Sequence, residues 1–429
     1  MNILVAVEEL RFGGAQTFAL RFAQALHEAG HNVWLYSMYG NLTETELVRR
    51  LAPDVPVLAY EPDSAGRDAF VQRADGWLER HGQPRSLRRR ALRAHLGRML
   101  RQYRIEVVSS NTFKSDELMA EVLAASFPSV PLVVTMHGDY EQFWAFYQAA
   151  GAYALPAYPA RLARTLARVT GMAYLADQNL RVLEPAVVPT AHTAHIQRRR
   201  IYNGMEGRFS ADTSLYTRAA LGIEPEAFVV GMVARGVAEK GWEPLMRAFN
   251  LLSQDSALLS RPVHVVVVGS SPFIDGLREQ YAGNSRAHFP GFVNNPVDCV
   301  PTFDVGVLAS SLKESLPNSI AEYLFAGRPV VSTDVGEIGN MLRPELDLGR
   351  PVAGEPTESA GFLIDFPSAG EQASPQQLYT ALRRYATDAD LLQRHQALAL
   401  LAFRKFSMSR CVAAYEALYG ISKKNTAEH

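Results

Sequence analysis

The chain has 429 residues, 48% hydrophobic and 20% charged, with a formal net charge of -1. That balance excludes a disordered tail and a polycation built to coat nucleic acid, and the length predicts two domains. Two cysteines, Cys299 and Cys411, exclude a disulfide framework and a cysteine-rich metal site and favour a reducing compartment.

Taken in order, Met1–Val7 is apolar, but Glu8 and Glu9 follow at once and no basic start precedes it. It reads as a first buried strand rather than a signal peptide. No segment reaches the roughly 18–20 apolar residues that span a bilayer, so the expected location is the cytoplasm. Gly13-Gly14 reads as a turn, Ala15–Ala29 as an amphipathic helix, and Asn32–Ser37, Val107–Ser110, Leu132–Met136 and Ala173–Ala176 as strands. Near Asn203-Gly204 the pattern restarts. Phe228–Val233 and Val263–Val268 are apolar, Trp242–Leu252 is helical, and Asp304–Leu308, a helix from about Asn318, and Pro329–Ser332 follow. Apolar runs without polar alternation suit strands covered on both faces. Two successive series of this kind predict an α/β protein of two doubly wound, Rossmann-like domains facing a cleft. The expected bounds are 1–203, 204–405 and 406–429, and the last segment of the pattern, Leu391–Tyr419, reads as helical.

Ligands of such folds gather at the carboxyl ends of the strands. Lys313-Glu314-Ser315-Leu316-Pro317-Asn318-Ser319-Ile320-Ala321-Glu322 follows a strand, and Pro317 suits the first turn of a helix. Free amides at Leu316–Ser319 then suit a phosphate, while Glu314 and Glu322 flank it as hydroxyl acceptors. A capped surface helix with solvated acids explains the spacing equally well. Arg235 and Lys240 lie on a glycine-containing loop after Phe228–Val233, where fixed cations can neutralise a diphosphate without a metal; a solvated loop is the plainer reading. Gly13-Gly14 permits close backbone approach to an anion, although the sequence is not a dinucleotide fingerprint. His137-Gly138-Asp139 ends a strand and leads into an aromatic-rich stretch beginning at Tyr140.

In this order, Gly13-Gly14, His137, Asn203-Gly204, Arg235 with Lys240-Gly241, and Glu314-x7-Glu322 resemble the retaining GT-B glycosyltransferases, most of all family 4. The resemblance implies a nucleotide-diphosphate sugar (UDP- or GDP-) as donor, held mainly by the C-terminal domain, and an acceptor held mainly by the N-terminal one. It implies hexosyl transfer with retention, without metal or cofactor, to a glycan, lipid-linked or small-molecule acceptor in polysaccharide or glycoconjugate synthesis. Carried over by position, Arg235 and Lys240 hold the diphosphate, Glu322 the ribose and Glu314 the transferred sugar. Leu316, Pro317, Asn318 and Ser319 contact sugar and phosphate, Gly14 closes on the phosphate, and His137 lies near the sugar. Val293, in the loop Gly291-Phe292-Val293, touches the base. Gly13, Asp139 and Tyr140 are read as acceptor-facing. The final helix is expected to return to the N-terminal domain. This chain has Ala234 where the family often has glycine, and Glu337 and Asn340 where a second glycine and a glutamate are common. The competing readings are an epimerase or phosphorylase of the same fold, and a non-catalytic nucleotide-sugar binder.

Two further signals are explained more simply. Asp388-Ala389-Asp390 reads as acids at a helix start, and His192-x-x-His195 lacks a third zinc ligand. The charge is uneven: residues 1–200 hold 23 Lys+Arg against 19 Asp+Glu, and the remainder 20 against 25. Eight arginines fall within Arg85–Arg104, with Leu92, Leu96, Met99, Leu100 and Tyr103 on one helical stripe. That segment reads either as an amphipathic helix on an anionic membrane surface or as a core-packed helix with a solvated basic face. No nucleic-acid partner is expected.

Overall fold

In the computed structural model, all residues are described except 12, 62–72, 75–86, 151–157, 206–213, 259–260, 313, 345–357, 369 and 421–429. Two units emerge: Met1–Gly204 together with the helix Met408–Leu418, and Met205–Ser407.

The first unit is built on seven parallel strands in the order β3-β2-β1-β4-β5-β6-β7. These are β1 (Asn2–Val7), β2 (Asn32–Ser37), β3 (Val57–Ala59), β4 (Val107–Ser110), β5 (Leu132–Met136), β6 (Gly171–Tyr174) and β7 (Gln197–Arg200). β1 shows why the sheet is covered twice. Ile3, Val5 and Val7 face a core that includes the helices Gly14–Glu28 and Met408–Leu418. Leu4 and Ala6 face a second core with the helices Leu87–Gln102, Phe113–Ser126 and Tyr158–Leu166. Alternate side chains of a strand point to opposite faces, so both sets are apolar and the run shows no polar alternation.

The helix Met408–Leu418 is anchored by Tyr415, whose hydroxyl shares a 2.7 Å hydrogen bond with that of Thr135 and whose ring packs on Phe22. The continuous helix expected over Leu391–Tyr419 is instead broken into Ala389–Phe403, a turn at Arg404–Phe406, and Met408–Leu418. The break coincides with the change of unit.

The arginine-rich segment is helical from Leu87 to Gln102, with Arg85 outside the described residues. Leu92, Leu96 and Leu100 are buried in the first unit's core, so this apolar stripe is consumed by packing and does not face a bilayer. Among the described residues no helix is long and apolar enough to cross a membrane.

The second unit has six parallel strands in the order β10-β9-β8-β11-β12-β13. They are β8 (Phe228–Val233), β9 (Val263–Val268), β10 (Ala287–Gly291), β11 (Val305–Leu308), β12 (Val330–Thr333) and β13 (Gly361–Ile364). Every residue of β8, β9, β11 and β12 is buried. The loops that follow β8, β11 and β12 carry the motif residues.

Candidate active site

The loop after β8 is held at several points. Trp242, fully buried, donates from Nε1 to the carbonyl of Arg235 at 3.0 Å, and Ser271 Oγ donates to the carbonyl of Gly236 at 2.7 Å. The Arg235 side chain is exposed. A short turn, Ala238–Lys240, ends at Gly241 with φ 90°, where a Cβ would overlap the carbonyl of Ala309. Only glycine fits that left-handed, close approach. The amide of Ser311 donates to Glu239 O at 2.8 Å, so the loops after β8 and β11 are hooked together.

That coupling brings Lys240 to Glu314. Lys240 Nζ donates to Glu314 Oε1 at 2.5 Å, and each residue is only 9% exposed. A nearly buried ammonium needs such a partner, because desolvating either charge alone is costly. Seventy-four residues separate the two, so the pair was invisible in the linear pattern.

A third loop fixes Glu314 from behind. Gly336, after β12, has φ 61°, and a Cβ there would overlap the carbonyl of Glu314. The amide of Glu337 donates to Ser315 O at 3.3 Å, and Asn340 Nδ2 donates to Glu337 Oε1 at 3.0 Å. The two departures from the family pattern thus bond to each other beside the motif. The glycine of Asp334-Val335-Gly336, after a strand, was the one sequence signal for this support.

The helix Asn318–Phe325 opens with Pro317 as its cap (φ -69°, ψ 122°). In its first turn the Ile320 amide donates to Pro317 O at 3.2 Å, while the amides of Asn318 and Ser319 come before any intrahelical acceptor. Leu316, Pro317 and Ser319 are half-buried, Asn318 is exposed, and Glu322, one turn in, is 9% exposed. Tyr323 secures the helix to the sheet, accepting from Val233 N at 2.7 Å and donating to Val307 O at 3.2 Å. Arg235, Lys240, Glu314, Leu316–Ser319 and Glu322 therefore all lie in or directly beside the loops at the carboxyl edge of one sheet.

In the first unit, Gly13 caps the helix Gly14–Glu28 in an extended conformation, its carbonyl accepting from Thr17 N and Oγ1 at 2.9 and 2.8 Å. A Cβ on Gly14 would meet no atom within 4 Å. His137 follows β5, its ring edge-on to Phe18 at 5.3 Å between centroids. Its Nε2 is shut from solvent with no hydrogen-bond partner among the described residues. Burial pushes its imidazole down to about 4, so the ring is neutral at ordinary pH.

Two expected contacts need correction. Tyr140 is fully buried, donating to Asp116 Oδ2 at 2.6 Å and packed edge-on against Phe113; it is a core residue and presents nothing to an acceptor. The side chain of Val293 is only 4% exposed, whereas its neighbour Phe292 is 61% exposed, so Phe292 is the side chain this loop offers. The Asp139 side chain and Lys313 lie outside the described residues. Asp388 accepts from Leu391 N at 2.9 Å as the cap of its helix. Among the described residues no group of three or more His, Cys, Asp or Glu side chains is placed to hold a metal.

A family model described as glycosyl transferases group 1 matches residues 227–365, and one described as glycosyltransferase family 4 matches residues 12–172. The chain belongs to the family 4-like GT-B glycosyltransferases. The transferase shares its fold with Anabaena HepE, solved with UDP, at a TM-score of 0.67 and 17% identity, covering 98% of this chain and 100% of that one. A glycosyltransferase from Rickettsia africae aligns at 0.64 and 15% identity over 99% of both chains. Sucrose-phosphate synthase from Thermosynechococcus elongatus aligns at 0.63 and 17% identity over 98% of both. No curated protein sequence matches the chain significantly.

Proposed function

We propose that this glycosyltransferase moves a hexose from a nucleotide-diphosphate sugar, UDP-linked in the first instance and GDP-linked in the second, to a saccharide or lipid-linked acceptor with retention at the anomeric carbon. The observation that carries the reading is the Lys240–Glu314 pair at 2.5 Å beside the start of the helix Asn318–Phe325. A fixed cation, an acid and a helix N-terminus then adjoin one another at one strand edge, the donor set a sugar diphosphate needs. HepE, of the same fold, has also been solved with UDP-glucose, which supports UDP as the first choice.

In this reading the donor diphosphate enters between Arg235 and Lys240 and exchanges part of the Lys240–Glu314 attraction for its own. Glu314 accepts from the sugar hydroxyls, and Glu322 takes the ribose. Arg235, Lys240 and the first-turn amides stabilise the charge that develops on the leaving diphosphate. That diphosphate accepts the proton of the attacking acceptor hydroxyl on the same face of the sugar, which gives retention. Fixed cations fill the part a divalent ion plays in other transferases, and the protein acts at the cytoplasmic side of polysaccharide or glycoconjugate synthesis.

A thermal-shift panel of UDP-, GDP- and other nucleotide sugars, followed by NMR of the anomeric configuration of the product, tests the reading. A UDP-sugar should give the largest shift and the product should keep the donor's configuration. A chelator should leave turnover within about twofold. Release of free sugar or of an epimer from donor alone would point instead to chemistry on the nucleotide sugar itself.

A further inference from the structure

A cavity of about 280 Å³ opens on the outer face of the first unit, between the helices Leu87–Gln102 and Phe113–Ser126. Arg90, Arg93 and Arg101 line it together with the small residues Ala94, Gly97 and Ala125. No acidic residue is among its lining. Arg93 is paired with Glu121 at 2.9 Å. Arg90 and Arg101 are exposed and have no ion-pair partner among the described residues. Arg101 lies over the ring of Phe127 at 5.6 Å, which fixes its guanidinium at one end of the groove.

Gly97 is the second observation. Glycine is among the least favourable residues inside a helix, and such a residue usually has a packing reason. Here there is none. A Cβ on Gly97 would meet only the far end of Arg101, at 3.7 Å, so its lack of a side chain serves to keep the groove open. Beyond the end of the neighbouring helix, Arg168 Nη2 donates to the carbonyls of Phe127 and Pro128 at 3.2 Å and to that of Val130.

The groove is separate from the residues discussed above. The helix Phe113–Ser126 leaves the carboxyl end of β4 and runs back, so Ala125 lies toward the amino ends of the strands. Gly14 and His137 lie at the opposite ends.

We propose that this groove binds a phosphate-bearing group, a phosphomonoester or diphosphate, held by Arg90 and Arg101 with Arg93 in support. Arginine's planar fork suits such oxygens, and the small lining residues leave room for the group between the helices. The chemistry is shared by a phospholipid head group and a free phosphate compound, so two probes are needed.

Co-sedimentation with phosphatidylcholine vesicles carrying phosphatidate, against phosphatidylcholine alone, tests the lipid source. Calorimetry with inorganic pyrophosphate tests the soluble one. The full-length protein is compared with Arg90→Gln/Arg101→Gln, which removes charge, and with Gly97→Leu, which fills the groove and keeps every charge. Ala94→Leu, at an exposed position of the same groove, repeats the filling should Gly97→Leu fail to fold. The proposed donor residues are untouched in all of them, so a difference from wild type reports the groove alone.

Losing two arginines should weaken anionic-vesicle binding about 30-fold, and the filled variants should lose a comparable amount. A loss in pyrophosphate binding without any vesicle binding keeps the site and assigns it a soluble ligand. Filled variants that bind both probes as wild type does overturn the proposal, because only diffuse surface charge would remain. A wild type that binds neither phosphatidate vesicles nor pyrophosphate above the filled variants overturns it too. Transfer to a soluble acceptor should stay within about twofold in the filled variants.

Discussion

The glycine-containing loops of the two units obey different constraints. In the second unit, Gly241 and Gly336 have positive φ, and a Cβ on either would overlap a backbone carbonyl, of Ala309 and Glu314 respectively. In the first unit, Gly14 would accept a Cβ with nothing within 4 Å. One set of glycines is demanded by the chain's own packing and holds Lys240 and Glu314 together before any ligand arrives. Gly14 answers to no protein neighbour. The contrast separates preformed geometry, which is tied to stability, from space kept for something else.

The largest effect expected is on Lys240. Lys240→Ala should lower turnover about 10²–10³-fold. It should also cost stability, because the nearly buried Glu314 loses the ammonium that compensates its charge. Adding Glu314→Gln to that variant should restore much of the melting temperature and none of the turnover. Recovery of both in kinetic and calorimetric assays would show the pair to be structural only.

Gly336→Ala and Gly14→Ala then set the two units against each other. The first should cost about 1–3 kcal/mol by denaturant melts, from strain at positive φ and displacement of Glu314. The second should stay within about 0.5 kcal/mol of wild type while raising the donor KM roughly tenfold. Equal losses of stability would erase the distinction.

Acid provides a milder test of both units. Burial holds His137 in the first unit and His288 in the second at about 4, against 6.5 for a free imidazole. The stabilising contribution of each neutral ring is complete above about 6.5 and is lost as pH falls toward 4, because the unfolded chain binds protons that the folded chain resists. Denaturant midpoints measured across that window should fall, and His137→Gln should flatten the slope. The smallest effect is expected at Phe292, where Phe292→Ala should raise the donor KM about fivefold if its exposed ring meets the base.

How much of this was legible follows the same physics. The strands read directly from apolar runs, β1, β2, β4, β5, β8 and β9 among them, have neighbours on both sides. The four strands not anticipated, β3, β7, β10 and β13, are the edges of the two sheets. An edge strand is covered less, so its sequence need not be apolar. β7 is Gln-Arg-Arg-Arg, with its first three residues exposed, a composition that also discourages a further strand from pairing there. The acids and cations of the site were legible because they sit just after apolar strands. The contact between Lys240 and Glu314, and the role of Gly336 behind them, were not, because they depend on three loops meeting across parallel strands far apart in sequence. Tyr140 misled because a buried aromatic and a ligand-facing one look alike in one dimension.

The helix Met408–Leu418 has a consequence for the order of events during synthesis. It belongs to the first unit, yet the ribosome makes it after the whole of the second. Until then, Phe18 and Phe22 lack the ring of Tyr415 that covers them. The second unit is continuous and can close as soon as it emerges, whereas the first must wait with an open apolar seam. A nascent chain stalled before Met408 therefore carries one finished unit and one unfinished, and a helix translated after the whole of the second unit seals the first.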